Sequence, residues 1–358
     1  MSTHSPARGE ATIGLVATGG TVGAERRAHT LSVGAQPTPA EAGLVVDGWP
    51  GKGEPRVVVA EPLRKLSENV VPGDWPRIAA AVRRLVEVDG ATGVLVLHGT
   101  DTMAYTAAAL SYLLADLAQP VVLTGAKLPA EQAGSDAPAN VRASLVALGE
   151  LRGGVYVVFG AGERAPSRVY LGTRVRKQRD GEATFASIGR EPVATIAGDR
   201  LTLVHAHAHR PRERSPQAVD ERVLALRLYP GLDFAAATAA VASADARAVI
   251  VELYGSATGP VTENRFSLPA FIGACAERDT LVATCAPGAA GVTAAAPAAY
   301  ETTLAIARAG GVWLHDMTVE AAVVKAMLAL AQRARPEQLA ELMLEPVAGE
   351  LALEYSER

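Results

Sequence analysis

The sequence predicts an α/β fold: a larger N-terminal domain built on a doubly wound, mostly parallel sheet, followed by a smaller C-terminal α/β domain. Three observations predict it. Short apolar runs alternate with longer helical patterns through most of the chain, as in βαβ units. The runs are continuous Val, Leu and Ile stretches rather than alternating ones, as expected where helices cover both faces of a sheet. A polar, charged, Pro-containing stretch at 206–222 separates two such series.

The elements follow in order. Residues 1–10 are polar and read as a flexible N-terminus. The first domain, 11–205, opens with strands expected at Ala11–Ala17, Arg56–Ala60, Gly93–Leu97, Pro120–Thr124 and Val155–Phe159. Helices are expected between them at Gly73–Val88, Thr102–Ala118 and Ala137–Leu151. From Arg168 to His205, short alternations with Gly-rich turns read as hairpins. After the linker 206–222, the second domain, 223–358, has strands expected at Val223–Leu228, Ala248–Leu253, Thr280–Thr284 and Val312–Leu314. Its helices are expected at Leu232–Ala242, Leu268–Ala276, Tyr300–Ala309, Thr318–Arg333 and Pro336–Leu344.

Composition narrows the function classes. Apolar residues make up 49% of the 358, yet no run approaches the roughly 20 residues that span a bilayer. Met1–Glu10 lacks the apolar core of a signal peptide, so a soluble, cytoplasmic protein is expected. Cys275 and Cys285 are too few for a disulfide framework or a Cys-based zinc site, and they read as buried small hydrophobes. A net charge of −4 and 4% aromatics argue against a nucleic-acid surface.

Two Thr-rich turns carry the chemistry. Ala17-Thr18-Gly19-Gly20-Thr21 and His98-Gly99-Thr100-Asp101-Thr102 each follow an expected strand. In open α/β sheets ligands bind outside the carboxyl ends of the strands. The glycines allow close backbone approach, and exposed amides there can stabilise a developing oxyanion. Hydroxyls and a carboxylate beside one crevice suit attack on a carbonyl without a metal. Phosphate cradling competes for the first turn, although neither G-x-G-x-x-G nor G-x-x-x-x-G-K-[ST] occurs there. For the second turn, capping of the following helix by Thr or Asp is the plain structural alternative.

Together, A-T-G-G-T-V and H-G-T-D-T-M resemble the bacterial-type L-asparaginase family, closer to its cytoplasmic branch. Further stretches are similar to that family. They are Pro120–Ala126, Ser135-Asp136-Ala137-Pro138-Ala139-Asn140, the D-M-T-x-E-A-x-x-x-K segment from Asp316 to Lys325, and Gly349-Glu350-Leu351. The resemblance implies that Thr21 is the primary nucleophile, that Thr100 and Asp101 are the second threonine and its aspartate, and that Lys177 completes the proton relay. It matches Ser67 to the serine that binds the substrate carboxylate. Thr18, Gly20 and Gly99, in the two turns, and Glu68, next to Ser67, join Ser67 as the expected substrate-binding set. The implied reaction converts L-asparagine to L-aspartate and ammonia through a β-aspartyl ester, with no metal or organic cofactor. Which threonine attacks first stays open. The resemblance also implies a homodimer or a dimer of dimers acting on a small molecule, with no nucleic-acid or membrane partner.

The chain departs from the family at three places. Val22–Ala35 holds no tyrosine, where the family carries a lid tyrosine; Glu25, His29 and Thr30 are the candidate substitutes, and the first tyrosine is Tyr105. Ala126-Lys127-Leu128-Pro129 stands where A-M-R-P is usual, and Thr258 stands where a partner subunit usually presents an asparagine. Three further readings therefore accompany the first. They are a catalytically impaired binder of asparagine or aspartate, a hydrolase for glutamine or another ω-amide, and a tRNA-linked amidotransferase subunit. The last normally carries an extra N-terminal domain, whereas about ten residues precede the first strand here. His205, His207 and His209 alternate as strand ligands would, but without a fourth ligand at metal-motif spacing they read as a solvated strand end. Arg210, Arg212 and Arg214 read as linker, and Trp49, Trp75 and Trp313 as packing residues. His98 is either an orienting group beneath the second turn or a satisfied core histidine.

Overall fold

The computed structural model describes residues 11–20, 22, 24–27, 30–33, 39–160, 165–178, 183–205, 209, 211–286, 300–332 and 335–351. In chain order its first part contains β1 (Thr12–Ala17), β2 (Ala24–Arg27), β3 (Thr30–Val33), α1 (Pro39–Gly48), β4 (Arg56–Ala60), α2 (Asp74–Glu87), β5 (Gly93–Leu97), α3 (Met103–Leu113), β6 (Val121–Thr124), α4 (Ala137–Glu150), β7 (Val155–Phe159), β8 (Ser167–Leu171), β9 (Val175–Lys177), β10 (Phe185–Ser187), β11 (Ala194–Ala197) and β12 (Arg200–Leu203). The second part contains β13 (Val223–Arg227), α5 (Phe234–Ser243), β14 (Ala248–Glu252), α6 (Leu268–Ala276), β15 (Leu281–Cys285), α7 (Glu301–Arg308), β16 (Val312–Trp313), α8 (Val319–Leu330) and α9 (Pro336–Leu344).

Eight strands form the large sheet in the order β12-β11-β8-β7-β6-β5-β1-β4. The run from β4 to β7 is parallel, and β8, β11 and β12 extend it antiparallel. The continuous apolar runs have a direct cause. In β5, Val94 and Val96 enter the core that contains α2 and α3 residues, while Leu95 and Leu97 enter the core that contains α4 residues. Both faces are buried, so neither tolerates a polar residue. The smaller sheet is four parallel strands in the order β13-β14-β15-β16.

The two sheets meet through α8. It lies against α3 of the large domain and against β13 and β14 of the small one. All its residues except Glu320 are buried, as a helix that is apolar all round must be. Its one buried cation, Lys325, bonds Glu350 Oε1 at 2.6 Å and donates to the carbonyls of Met343 and Glu345. Glu350 also accepts from the amides of Val347 and Ala348. Burial alone would raise the Glu350 carboxyl, but the charge and hydrogen bond of Lys325, with the backbone amides of Ala348 and Glu350, hold it below its ordinary value.

Three local features differ from the sequence reading. Helix α3 stops at Leu113 rather than Ala118, because Asp116 is held by Arg83 and Ser215 and the chain turns to meet them. The β2–β3 hairpin and α1 carry no clear periodic signal. In α1, Gly43 and Gly48 weaken the helical pattern, yet Val45 is fully buried and the helix packs on α4. Tertiary contact decides that element, as it often does over weak propensity.

Lys325→Met should lower the unfolding free energy by roughly 3 kcal/mol, because it leaves the buried Glu350 carboxylate without its cation. Urea denaturation of the two proteins measures this. An unchanged midpoint would show that the pair contributes nothing.

Candidate active site

The site begins with strand order. Because β4, β1 and β5 are neighbours, the segments that follow them lie side by side at one sheet edge. Thr18 donates its backbone N–H (3.2 Å) and its hydroxyl (2.9 Å) to the Leu97 carbonyl. The Lys65 amide donates to Thr18 O at 3.0 Å, and the Gly20 amide donates to Lys65 O at 3.1 Å. The first turn is thus clamped between its neighbours by main-chain bonds. Its glycines are required by space as well as by dihedral angle. Gly19 and Gly20 have φ of 93° and 84°. A Cβ on Gly19 would lie 2.5 Å from Lys65 O, and one on Gly20 would lie 2.5 Å from Gly99 N.

The second turn is held from below. Ser67 is buried; its Oγ accepts from the Asp101 amide at 3.3 Å, and its carbonyl accepts from the Thr102 hydroxyl at 2.7 Å. Gly99 passes so close that a Cβ there would lie 2.6 Å from Ser67 Oγ. Thr102 occupies the N-cap of α3, yet its side chain makes no capping bond. Its hydroxyl ties the turn to Ser67 instead, so capping does not explain the threonine.

Strand β9 brings in the cation. Lys177 Nζ donates to Thr100 Oγ1 at 2.8 Å and to Asp101 Oδ1 at 2.6 Å. Residues separated by 76 to 77 positions in sequence meet at one point. The group is open to solvent: the Asp101 side chain is 60% exposed and that of Lys177 33%. A small molecule can therefore reach Thr100, Asp101 and Lys177 directly. Of the other sequence-predicted residues, Glu68 is exposed beside Ser67, and the Thr18 hydroxyl and Gly20 amide are both engaged within the protein. Thr21 lies outside the described residues, as do His29 and His207. Glu25 and Thr30 fall on β2 and β3.

His98 lies under the second turn and is 1% exposed. Its Nδ1 faces the Gly99 carbonyl at 2.7 Å and its Nε2 faces the Thr106 hydroxyl at 3.0 Å. A carbonyl only accepts, so Nδ1 carries the proton and Nε2 accepts from Thr106. Burial pushes the imidazole down to about 4, against a smaller opposing effect of the Gly99 bond. The ring is neutral and braces the peptide just before Thr100.

Other motif residues brace loops. Asp136 Oδ1 accepts from the amides of Lys127 and Leu128, and Asn140 links Gly125 O, Asp136 Oδ2 and the Gly160 amide. Lys65 carries no motif in the sequence because its role belongs to its backbone. Its Nζ is anchored on buried Asp74 at 2.6 Å. Burial pushes the Asp74 carboxyl up, but bonds from Lys65 and the Val71 amide, with the nearby charges, bring it below its ordinary value. In the linker, His209 contacts the Leu117 carbonyl and Arg212 pairs with Glu345. Both cysteines are buried free thiols. Among the described residues no three His, Cys, Asp or Glu side chains converge as a metal site, and no helix is long and apolar enough to cross a membrane.

Comparison with known proteins shows the family. The family model "Asparaginase, N-terminal" matches residues 12–209, and "Glutaminase/Asparaginase C-terminal domain" matches residues 222–343. The chain belongs to the asparaginase family. It is 32% identical over 291 residues to an L-asparaginase of Thermococcus kodakarensis, covering 80% of this chain and 83% of that one. The solved structure of the thermostable L-asparaginase from that organism superposes with a TM-score of 0.82, at 29% identity over 95% of this chain and 99% of the other. The chain is also 31% identical over 346 residues to a glutamyl-tRNA(Gln) amidotransferase subunit of Haloquadratum walsbyi, covering 95% of this chain and 75% of that protein.

Two outcomes follow from the geometry of this family member. Gly20→Ala should lower the melting temperature by several degrees, since the new Cβ meets backbone and the φ is left-handed; calorimetry of the variant checks this. His98 gives a pH dependence. Its folded value of about 4 lies below its ordinary 6.5, so between these the unfolded chain binds a proton that the folded chain does not. The His98 contribution is therefore complete above about pH 6.5 and declines as pH falls toward 4, by about 3 kcal/mol in all. Unfolding free energies of wild type and His98→Gln at several pH values should converge over that window. Parallel curves would refute it.

Proposed function

We propose that this chain hydrolyses the side-chain amide of L-asparagine, giving L-aspartate and ammonia. The observation that carries the reading is the single Lys177 Nζ bonded to both Thr100 and Asp101 at an open strand-end site. A threonine hydroxyl is a weak nucleophile and needs a proton acceptor within hydrogen-bond reach. The Lys177 amine stands 2.8 Å from the Thr100 hydroxyl, and Asp101 orients it. Attack forms the threonine–acyl bond and breaks the C–N bond, and the proton taken from the hydroxyl leaves with ammonia. Water then attacks the ester, and the threonine recovers its proton. Asp101, more exposed than Lys177, is placed to receive the α-ammonium of the substrate. In this reading Ser67, Gly99, Gly20, Thr18 and Glu68 shape the binding floor, and Thr21 is the other threonine of the acyl transfer. The family resemblance supports a cytoplasmic homodimer or homotetramer as the working form.

One observation favours a second substrate. Relatives named as glutamyl-tRNA(Gln) amidotransferase subunits match nearly the whole chain, and the same groups would release ammonia from a glutamine side chain.

Ammonia release from L-asparagine, L-glutamine and D-asparagine in parallel tests both readings. L-asparagine should be the fastest, and Thr100→Ala and Lys177→Met should each lower kcat by about 10²–10⁴-fold with the fold retained. Glutamine as the faster substrate would move the assignment to the second reading. No release from any of the three would overturn both.

A further inference from the structure

The D-M-T-V-E run at 316–320 has no place in the site described above, yet three of its side chains reach the segment that ends in Lys177. Asp316 Oδ2 accepts from Arg174 Nη1 at 2.6 Å, and the Asp316 carbonyl accepts from the same nitrogen at 3.0 Å. The Thr318 hydroxyl donates to Thr173 O at 3.3 Å. Glu320 takes Arg176 Nε on both oxygens, at 3.0 and 3.2 Å. Arg176 Nη1 also donates to Glu252, at the end of β14, at 3.1 Å. Arg174 is fully buried, and its Nε donates to Gly349 O at 2.7 Å.

The strand these contacts hold is short. β9 is three residues long and, among the described residues, pairs only with the equally short β10 in a separate two-stranded sheet. Main-chain pairing alone gives it little stiffness. Adjacent residues of a strand point to opposite faces, so when Arg176 is fixed on the C-terminal domain, Lys177 is fixed toward Thr100 and Asp101. Lys177 and the residues that hold its strand thus come from different domains.

We propose that Glu320, Glu252 and Asp316 are positioning residues for Lys177, acting through Arg176 and Arg174 to keep β9 in register with the Thr100–Asp101 turn. This rests on the amide-hydrolysis reading for its kinetic consequence, but not for its structural one. Displacing a reacting group by about 1 Å can cost as much as 10²-fold in rate.

The test compares wild type, Glu320→Gln, Arg176→Ala, Arg176→Lys and Lys177→Met, each confirmed as folded by its melting curve. Two quantities are read. The first is kcat and KM for ammonia release; the second is the rate of acetylation of Lys177 by a limiting amine reagent, followed by peptide mass spectrometry. Arg176→Ala should lower kcat by about 10- to 100-fold with KM changed far less, and should raise Lys177 labelling several-fold, as the amine leaves Thr100 and Asp101. Glu320→Gln should change both in the same direction by a smaller factor, and Arg176→Lys should recover part of each. A role in stability alone would lower the melting temperature while leaving kcat and labelling at wild-type values, and that result overturns the proposal. If Arg176→Ala does not fold, Glu320→Gln decides by the same readouts. If wild type releases no ammonia while labelling still rises in Arg176→Ala, the functional reading fails and the positioning role stands. Unchanged labelling in both variants sinks the positioning role whatever the activity.

Discussion

The site depends on how closely three loops can approach one another. The segments after β1, β4 and β5 touch backbone to backbone: Lys65 is bonded on both sides to the first turn, and Gly20 abuts Gly99. At Gly19, Gly20 and Gly99 even one methyl group would collide with a neighbouring main chain or with Ser67. Close packing at this density transmits any displacement. The positions of Thr100 and Asp101 are consequently set by contacts that involve no reactive atom. A parallel sheet supplies the arrangement at little further cost, because neighbouring strands end at one edge and their turns meet there.

That edge alone is not sufficient, because Lys177 arrives from elsewhere. Its strand belongs to the first domain by sequence but is held by the second, through buried Arg174 and partly buried Arg176. Helix α8 explains how the second domain can serve as a fixed reference. It is buried along almost its whole length and packs on α3, the helix that starts at the Thr100–Thr102 turn. The turn and the Lys177 strand are therefore anchored to the same helix, one through α3 and the other through Glu320 at its N-terminal end. Relative motion of the domains would disturb both together.

Much of the fold was legible because burial on both faces leaves an unmistakable pattern. The runs at β1, β5 and β7 could be read as central strands without periodicity. Thr100 and Asp101 were singled out by the turn that carries them, but Lys177 was named from a resemblance, since nothing local connects it to Thr100 across 77 positions. What escaped has a common physical cause. Helix α1 owes its existence to packing on α4, and Lys65 acts through its peptide groups, which every residue possesses. The D-M-T-V-E run was recognised as a motif, but its partners Thr173, Arg174 and Arg176 are revealed only when the chain closes on itself. The threonine at the head of α3 shows the opposite case. Local rules point to capping, and the folded chain uses the hydroxyl to bind Ser67.

A division of labour reconciles rigidity with access. The side chains of Asp101 and Lys177 are partly open to water, and exposed ion pairs such as Lys177–Asp101 stabilise a protein little. Their precision must come from the groups beneath them, and these are buried: Ser67 under the Asp101 amide, His98 under the Gly99 peptide, and Arg174 behind the Lys177 strand. Each of these contributes a hydrogen bond to backbone, and His98 and Arg174 do so from beneath the site. A neutral imidazole suits the His98 position, because a charged ring buried there would lose its acceptor nitrogen and repel the Thr106 hydroxyl hydrogen that now binds it. Polar groups under the turns fix where the threonine, aspartate and lysine stand, while solvent contact leaves those three accessible, as the proposed amide hydrolysis requires.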